Sequence, residues 1–344
     1  MPAVPSTRGA SALVLLLVVL FPALVTSFVT LHGAYKPQQQ PRHSSLRMIA
    51  AAPKVAVMVN GLPGAMGKEV AAACLRRGLA VCSVGLTGPQ IEEESVEVDD
   101  GEGGQKQTVR LVKGPLTGNG DEECDARLQG LLAGYRDSKT RLIAVDYTHP
   151  TAVNPNGKLY ARHKLDFVMG TTGGDREKLM DDVAAGGIYA VIAPNMAKQI
   201  VALQAGLETM AATFPGAFEG YTLNVVESHQ SSKADTSGTA KALISSFGKL
   251  LGKAYHVEDV IRMIRDREGQ LGFGVPEAGL GGHAFHTYQL LSPDGSVEFQ
   301  FRHNVVGRRV YAEGTVDALV FLAKQAGSEK KVYNMIDVLK AGAM

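Results

Sequence analysis

Apolar residues along this chain change their spacing twice, and each change marks a new kind of structure. Residues 55–59 form a continuous apolar run, the pattern of a strand buried on both faces. A glycine-rich turn follows. Met66, Val70 and Cys74 then share one helical face, with Gly78 as the stop. A second strand, 79–84, completes a βαβ unit. The alternation continues through strand 109–112, helix 121–135, strand 141–147, a helical stretch to Lys164, strand 166–170, helix 175–185 and a strand ending at Ala193. Strands and helices in turn predict a parallel sheet covered on both faces. The acidic, glycine-rich segment 91–105 is expected as an exposed loop, because charge runs are usually solvated.

Beyond Pro194-Asn195 the rhythm is different. A long helix over 197–213 leads to strand 221–228 and a helix over 239–251. Leu243, Ile244, Phe247, Leu250 and Leu251 give that last helix one apolar face. Two alternating runs within 283–304, joined by Pro293-Asp294-Gly295, read as a hairpin. An open antiparallel or mixed sheet over 220–308 follows from this. The apolar stretch 314–327 is expected as a helix that packs back on the first domain. The fold class is therefore α/β. A Rossmann-like doubly wound parallel sheet spans 51–195 and is completed by the C-terminal helix within 314–344. A second α+β domain with an open mixed sheet spans 196–313.

The first fifty residues have another character. Arg8 precedes an apolar run, 11–25, too short for a comfortable membrane span and ordered like a signal peptide. The following piece has basic and hydroxyl residues and no Asp or Glu, as organelle transit peptides do. Signal followed by transit peptide resembles the two-part leader for plastids bounded by extra membranes, with Phe28 as the aromatic at the junction. A plain secretory signal is the competing reading, and a membrane anchor the third. The segment 1–50 carries Arg8, Lys36, Arg42 and Arg47 unopposed, so its removal takes the net charge from +1 to −3.

Composition narrows the partners. Of 344 residues 45% are hydrophobic and 20% charged, enough for two domains with real cores. A net charge of +1 without a basic stripe, no Trp and few aromatics exclude a nucleic-acid binder. No membrane is expected to hold the mature form. Cys74, Cys82 and Cys124 make no Cys-x-x-Cys, so they read as free thiols in a reducing compartment and suggest no metal site.

The candidate chemistry sits at turns. VNGLPGAMG carries Gly61, Gly64 and Gly67 in the spacing G-x-x-G-x-x-G. A strand ends, the chain turns, and the free N–H groups of the next helix can hold a pyrophosphate. Gly61 permits the turn, Gly64 a close backbone approach, and Gly67 helix packing. A tight turn without ligand is the plain alternative. The second strand ends without Asp or Glu, and Glu92 comes only later, so nothing rejects a ribose 2′-phosphate. NADPH is the expected cofactor, with NADH still open. Gly170, Thr171 and Thr172 end one strand, and Ala193, Pro194 and Asn195 end the next, where ligands of such sheets bind.

The stretch VVESHQSSKADTSGTAKA, 225–242, places His229 and Lys233 ahead of a helix opened by Ser237, Gly238 and Thr239. The unpaired N–H groups of a helix start attract an anion, and Lys233 adds a full charge. His229 can give a proton near neutral pH. Each feature alone has a duller reading, as an N-cap, a solvated lysine or a satisfied core histidine. Together with a nucleotide turn they favour a site. Arg308 and Arg309 are further candidates to pair a carboxylate. His283, His286 and His303 lie in strand-like runs without ligand spacing and read as structural.

These motifs resemble the 4-hydroxy-tetrahydrodipicolinate (dihydrodipicolinate) reductases of lysine biosynthesis, in their plant-type branch. The likeness runs from Val55 to the C-terminal helix and is most specific in ESHQSSKADTSGTA, 227–240, with GTTG, APN and Met66-Gly67 in matching order. It implies that His229 is the proton donor and Lys233 the second catalytic residue. It implies that Gly61, Leu62, Pro63, Gly64, Ala65 and Met66, with Gly170, Thr171, Thr172, Ala193, Pro194, Asn195 and Met196, contact the cofactor. Gln230, Ser237, Gly238 and Thr239 are expected to hold a small cyclic dicarboxylate, and a homo-oligomer is expected. Bacterial members often have a second His at Gln230, and one more residue, usually Pro, between the Asp and Ser-Gly-Thr. Two other functions remain open at this stage: an aspartate- or homoserine-type dehydrogenase, which would lack the His-Gln-Ser-Ser-Lys clamp, and a non-enzymatic nucleotide sensor.

Overall fold

The computed structural model describes residues 54–115, 122–138 and 140–342. The leader reading for 1–50 lies outside them. Strand β1 (Val55–Asn60) leads into helix α1 (Ala65–Arg76), then β2 (Ala80–Val81), β3 (Val84–Thr87), β4 (Ser95–Asp99) and β5 (Lys106–Lys113). Helix α2 (Glu122–Asp137), β6 (Arg141–Asp146), α3 (Val153–His163), β7 (Asp166–Met169), α4 (Arg176–Gly186) and β8 (Ala190–Ile192) follow. The later part runs α5 (Lys198–Thr213), β9 (Thr222–His229), α6 (Gly238–Leu251), α7 (Val257–Val260), β10 (Ile261–Ile264), α8 (Arg267–Gly272), β11 (His283–Leu291), β12 (Glu298–Val306), α9 (Arg309–Ala323), β13 (Val332–Tyr333) and α10 (Met335–Lys340).

The first sheet has the order β13-β8-β7-β6-β1-β2 and is parallel throughout. Its period-two alternation divides the core. Val57, Val59, Ile143 and Val145 pack with Val70 and Cys74 of α1, Val316 and Leu319 of α9 and Val338 of α10. Ala56, Met58, Leu142 and Ala144 face the other way, onto Leu128 and Leu132 of α2, Leu159 and Tyr160 of α3 and Leu179 of α4. A sheet buried on both faces in this way is doubly wound.

A second, mixed sheet has the order β10-β9-β11-β12, with β10 parallel to β9 and the other pairs antiparallel. Leu223, Val225, Tyr288 and Leu290 face Leu243, Ile244, Phe247, Leu250 and Leu251, the apolar face expected of α6. The hairpin β11–β12 turns through 292–297, around the expected Pro293-Asp294-Gly295.

Three expectations need correction. The segment 91–105 is not all loop, because Ser95–Asp99 is a strand antiparallel to β5. Val96 and Val98 alternate among the acids there, and Val98 is buried. The strand at 79–84 is two strands. β2 stays beside β1, whereas β3 turns away to join β5 and β4 in a third small sheet. Finally, 314–344 is not one helix. α9 begins at Arg309, and β13 then adds an edge strand to the main sheet beside β8 before α10 closes the chain.

Candidate active site

Four parallel strands, β1, β6, β7 and β8, are neighbours in the first sheet and end on one edge. Three strand spacings of about 4.8 Å put the ends of β1 and β8 about 14 Å apart. The Gly61 turn, Tyr147, the Gly170 turn and Ala193 therefore stand in a row along that edge.

The Gly61 turn is built by backbone. Gly61 has φ +97°, and a Cβ there would lie 2.2 Å from the Tyr147 carbonyl oxygen. Its carbonyl accepts the Gly64 N–H at 2.9 Å, which closes the turn just before α1. Next to it opens a cavity of about 580 Å³, lined by Gly61, Leu62, Pro63 and Gly64, by Thr87 to Ile91 and by Tyr147 to His149. None of its lining residues is Asp or Glu. The helix start, the glycine cradle and the cavity fit a nicotinamide dinucleotide. Leu62 and Met196 are buried in the core, so neither side chain faces a ligand. Gly170, Thr171, Thr172, Ala193, Pro194, Asn195 and Met196 line the sheet edge outside this cavity, as do Ala65 and Met66 at the start of α1.

Asp146 and Asn60, which hold this edge together with Thr171, were not singled out in the sequence. Asp146 is fully buried at the end of β6 and accepts Tyr160 Oη at 2.6 Å, Thr148 Oγ1 at 2.7 Å and Thr171 Oγ1 at 2.8 Å. Asn60 donates to Tyr160 Oη at 2.8 Å and accepts the Leu86 N–H at 2.8 Å. One buried network thus fixes the ends of β1, β3, β6 and β7 together. The signal was an Asn and an Asp ending two apolar strands, which read in isolation as ordinary turn residues.

The second half of the site hangs on β9. Glu227 and His229 are two apart and share the face that α6 covers; β11 sets His286 opposite Glu227, and β12 sets His303 opposite His286. His229 Nε2 lies 3.3 Å from His286 Nε2, and Glu227 Oε2 lies 3.6 Å from His286 Nε2 and 4.0 Å from His229 Nε2. Arg265 bonds the other oxygen of Glu227 and also donates to the Lys233 carbonyl at 2.7 Å. The Ser237 N–H donates to Glu227 Oε2 at 3.1 Å. A single buried carboxylate therefore ties the loop before α6 to the strand that carries His229. His286 belongs to this cluster, although 57 residues separate it from His229 and sequence spacing gave no link. His283 instead bonds Ser228 Oγ at 2.8 Å on the opposite face of the sheet.

Burial opposes charge on Glu227, but bonds from His286, Arg265 and the Ser237 amide prevail and hold its carboxyl below the usual range. Burial is also the largest influence on His229; with the nearby His286 it keeps the imidazole well below its ordinary pKa despite Glu227. Glu227, His229 and His286 have the spacing of a metal-binding triad. However, both carboxylate oxygens are already engaged, and the Arg265 guanidinium occupies the place of a counter-cation. The cluster is a hydrogen-bonded network.

Helix α6 opens beside it. Ser237 Oγ accepts the Ala240 N–H at 3.4 Å, and the Gly238 and Thr239 N–H groups have no partner among the described residues. Lys233 bonds Asp235 at 2.6 Å, and Gln230 lies half-buried at the loop's start. Asn195, at the end of β8, donates to Thr239 Oγ1 at 2.9 Å. This contact brings the edge of the parallel sheet and the start of α6 to one place. Arg309 pairs instead with Glu102 at 3.1 Å near the surface, and Arg308 caps α9 without a side-chain bond to it.

Comparison with known proteins decides the family. Residues 55–196 match the model "Dihydrodipicolinate reductase, N-terminus" and residues 200–339 match "Dihydrodipicolinate reductase, C-terminus". The chain belongs to the dihydrodipicolinate reductase family. It is 47% identical over 293 residues to the chloroplastic 4-hydroxy-tetrahydrodipicolinate reductase 1 of Arabidopsis thaliana, covering 84% of this chain and 79% of that one. It is 44% identical over 324 residues to a probable chloroplastic 4-hydroxy-tetrahydrodipicolinate reductase 2 of Oryza sativa subsp. japonica, covering 92% and 94%. A dipicolinate-bound dihydrodipicolinate reductase from Paenisporosarcina sp. TG-14 shares the fold, with TM-score 0.52 at 18% identity over 81% of this chain and 96% of that one. In this member of the family, the Asn195–Thr239 contact links the loop after β8 of the Rossmann-like sheet to the helix that covers the mixed sheet.

Proposed function

We propose that the chain reduces 4-hydroxy-tetrahydrodipicolinate to tetrahydrodipicolinate in lysine biosynthesis, with NADPH as the preferred reductant. The Asn195–Thr239 bond carries this reading, because it joins the edge that suits a dinucleotide to the helix start that suits a carboxylate. In this assignment residues 51–195 hold the cofactor, and 196–313 hold the substrate and associate with a second copy through the outer face of the mixed sheet. That face presents Thr222, Asn224, Glu298 and Gln300 to solvent.

The bound nicotinamide supplies the hydride. Gly61, Leu62, Pro63, Gly64, Ala65 and Met66 receive the phosphates, while Gly170, Thr171, Thr172, Ala193, Pro194, Asn195 and Met196 line the nicotinamide end. The Gly238 and Thr239 amides take one substrate carboxylate, aided by Ser237 and by Gln230. Lys233 adds its charge once Asp235 releases it. Asp235 is exposed, and an exposed pair is worth only about 0–1 kcal/mol, so an incoming dianion displaces it readily. His229 delivers the proton. An acid-free cavity beside Thr87 to Ile91 suits a 2′-phosphate, which a carboxylate there would repel.

Plastid placement follows the chloroplastic relatives, with 1–50 as a two-part leader; a reporter fused to 1–50 that is secreted would contradict it. For the activity, the preceding synthase generates the substrate and NADPH absorbance is followed after the protein is added. Rapid oxidation of NADPH is expected, and a rate no higher than background would overturn the reading.

A further inference from the structure

His229 ends its strand one residue beyond the reach of a neighbour. Parallel β10 pairs with β9 only as far as Ile264 and Ser228, so on that side the ladder stops short of His229. β10 does not supply the next rung, because Asp266 accepts the Gly269 N–H at 2.7 Å, caps α8 and turns the chain away. A buried backbone carbonyl left without a donor is costly. Helix α8 answers with a side chain. Gln270, 3% exposed, donates its amide nitrogen to the His229 carbonyl at 2.8 Å and to the Arg265 carbonyl at 2.9 Å. Both hydrogens of one NH₂ group are thus used, and only the nitrogen end of an amide can face two carbonyls.

Arg265, the first residue beyond β10, carries this grip along the loop. Its Nε donates to the Lys233 carbonyl at 2.7 Å, one terminal nitrogen donates to the Asp235 carbonyl at 3.2 Å, and the same guanidinium bonds the Glu227 carboxylate. Carbonyls at 229, 233 and 235 are all drawn to the corner between β10 and α8. The Lys233 ammonium has only the exposed Asp235 carboxylate for a partner among the described residues. The backbone of the loop is fixed, while the head of its lysine is free to change partners.

We propose that Gln270 is a positioning residue for the reduction: its amide locks the His229 backbone to Arg265 and so sets the separation between His229 and Lys233. The proposal rests on the reading of His229 as proton donor and Lys233 as the cation for a substrate carboxylate. Buried as it is, Gln270 offers no surface to substrate or cofactor. It acts through His229, whose imidazole has to meet the reduced ring at hydrogen-bond distance. A misplacement of about 1 Å costs on the order of a hundred-fold in rate. The Gly238 and Thr239 amides are held separately, because they belong to α6, which Ser237 caps and an apolar face anchors. Loss of the Gln270 clamp therefore disturbs the chemical step more than it disturbs binding.

Three measurements test this. In NMR spectra of the full chain, both side-chain amide protons of Gln270 are expected to exchange slowly with D₂O. Exchange as fast as that of an exposed glutamine would overturn the clamp, and this result needs no variant to fold. The second measurement uses Gln270→Met, which keeps the length of the side chain and removes both donors. Its single-turnover rate should fall about ten- to a hundred-fold, with substrate KM and NADPH Kd within about two-fold of wild type. A wild-type rate in this variant would contradict the proposal. The third places Gln270→Met in a His229→Asn background. A residue that acts through His229 has little left to disturb there, so the rate should change by less than about two-fold. A further loss as large as in the wild-type background would mean that Gln270 supports the fold in general, and would refute the positioning role. Absence of any wild-type turnover would instead refute the reductase reading, and the amide exchange would still decide whether the clamp exists.

Discussion

Glu227 shows how one residue can govern a site without touching what binds there. Its carboxylate is fully buried and answers three groups at once: Arg265, the Ser237 amide and His286. Replacing it by Ala strands the guanidinium of Arg265 in the interior, a loss of about 3–5 kcal/mol by the usual cost of breaking a buried pair. Chemical denaturation of Glu227→Ala should show that loss, and a midpoint equal to wild type would deny the carboxylate its role. His229→Asn and Lys233→Ala act differently. The first should lower kcat by about 10²–10⁴-fold, and the second should also raise the substrate KM, while NADPH affinity stays within about two-fold in both. Fluorescence titration of the cofactor separates the cases; weak cofactor binding would place these residues in the wrong pocket. His229, Lys233 and the Ser-Gly-Thr turn were visible in the sequence because they fall within eleven residues. His286, Arg265 and Asp146 were not, because strand pairing alone brings them in.

At the scale of elements, two helix starts offer free N–H groups in different settings. α1 begins just after the Gly61 turn, and α6 begins at Gly238, with Thr239 bonded to Asn195 beyond the end of β8. Gly61→Ala needs a positive φ and a contact of 2.2 Å with the Tyr147 carbonyl. It should cost about 2 kcal/mol or more and weaken NADPH binding, as thermal denaturation and titration would show; retention of both would remove the turn from the account. Phe247 anchors α6 against Tyr288 and Phe301, so Phe247→Ala should cost about 3–5 kcal/mol and loosen substrate binding with it. These elements were legible because apolar runs and periodic faces report burial directly. β4 was hidden by its acids, and β3 by a change of sheet in the middle of one apolar run. β13 escaped because two residues leave no periodicity to read. Gly314 is a related case: a Cβ there would lie 1.8 Å from the Met196 carbonyl, so α9 sits directly on the loop after β8. The sequence announces the glycine but not its neighbour.

For the whole molecule the buried imidazoles set a pH window. Burial is the largest influence on both His229 and His303; it lowers His229 and takes His303 down to about 3. Neither ring nitrogen of His303 has a partner among the described residues. Since the folded pKa values lie below the unfolded value of about 6.5, the unfolded chain binds more protons as pH falls beneath that value. Stability is thus fully present above about pH 6.5 and is lost on the way down toward the folded values. The Tm should drop steadily from pH 7 to pH 4, and His303→Leu should flatten part of that decline. A Tm indifferent to pH over this range would mean that the imidazoles are not buried as described.

The central claim is spatial: a ring dicarboxylate on the Gly238 and Thr239 amides, within reach of a nicotinamide on the edge that begins at Gly61. A crystal structure of the ternary complex with NADP⁺ and dipicolinate measures this directly. One carboxylate should rest on those amides, with nicotinamide C4 about 3–3.5 Å from a ring carbon, the separation from which transfer can occur. A dipicolinate bound away from the start of α6, or on the far side of the sheet edge from the nicotinamide, would contradict the account.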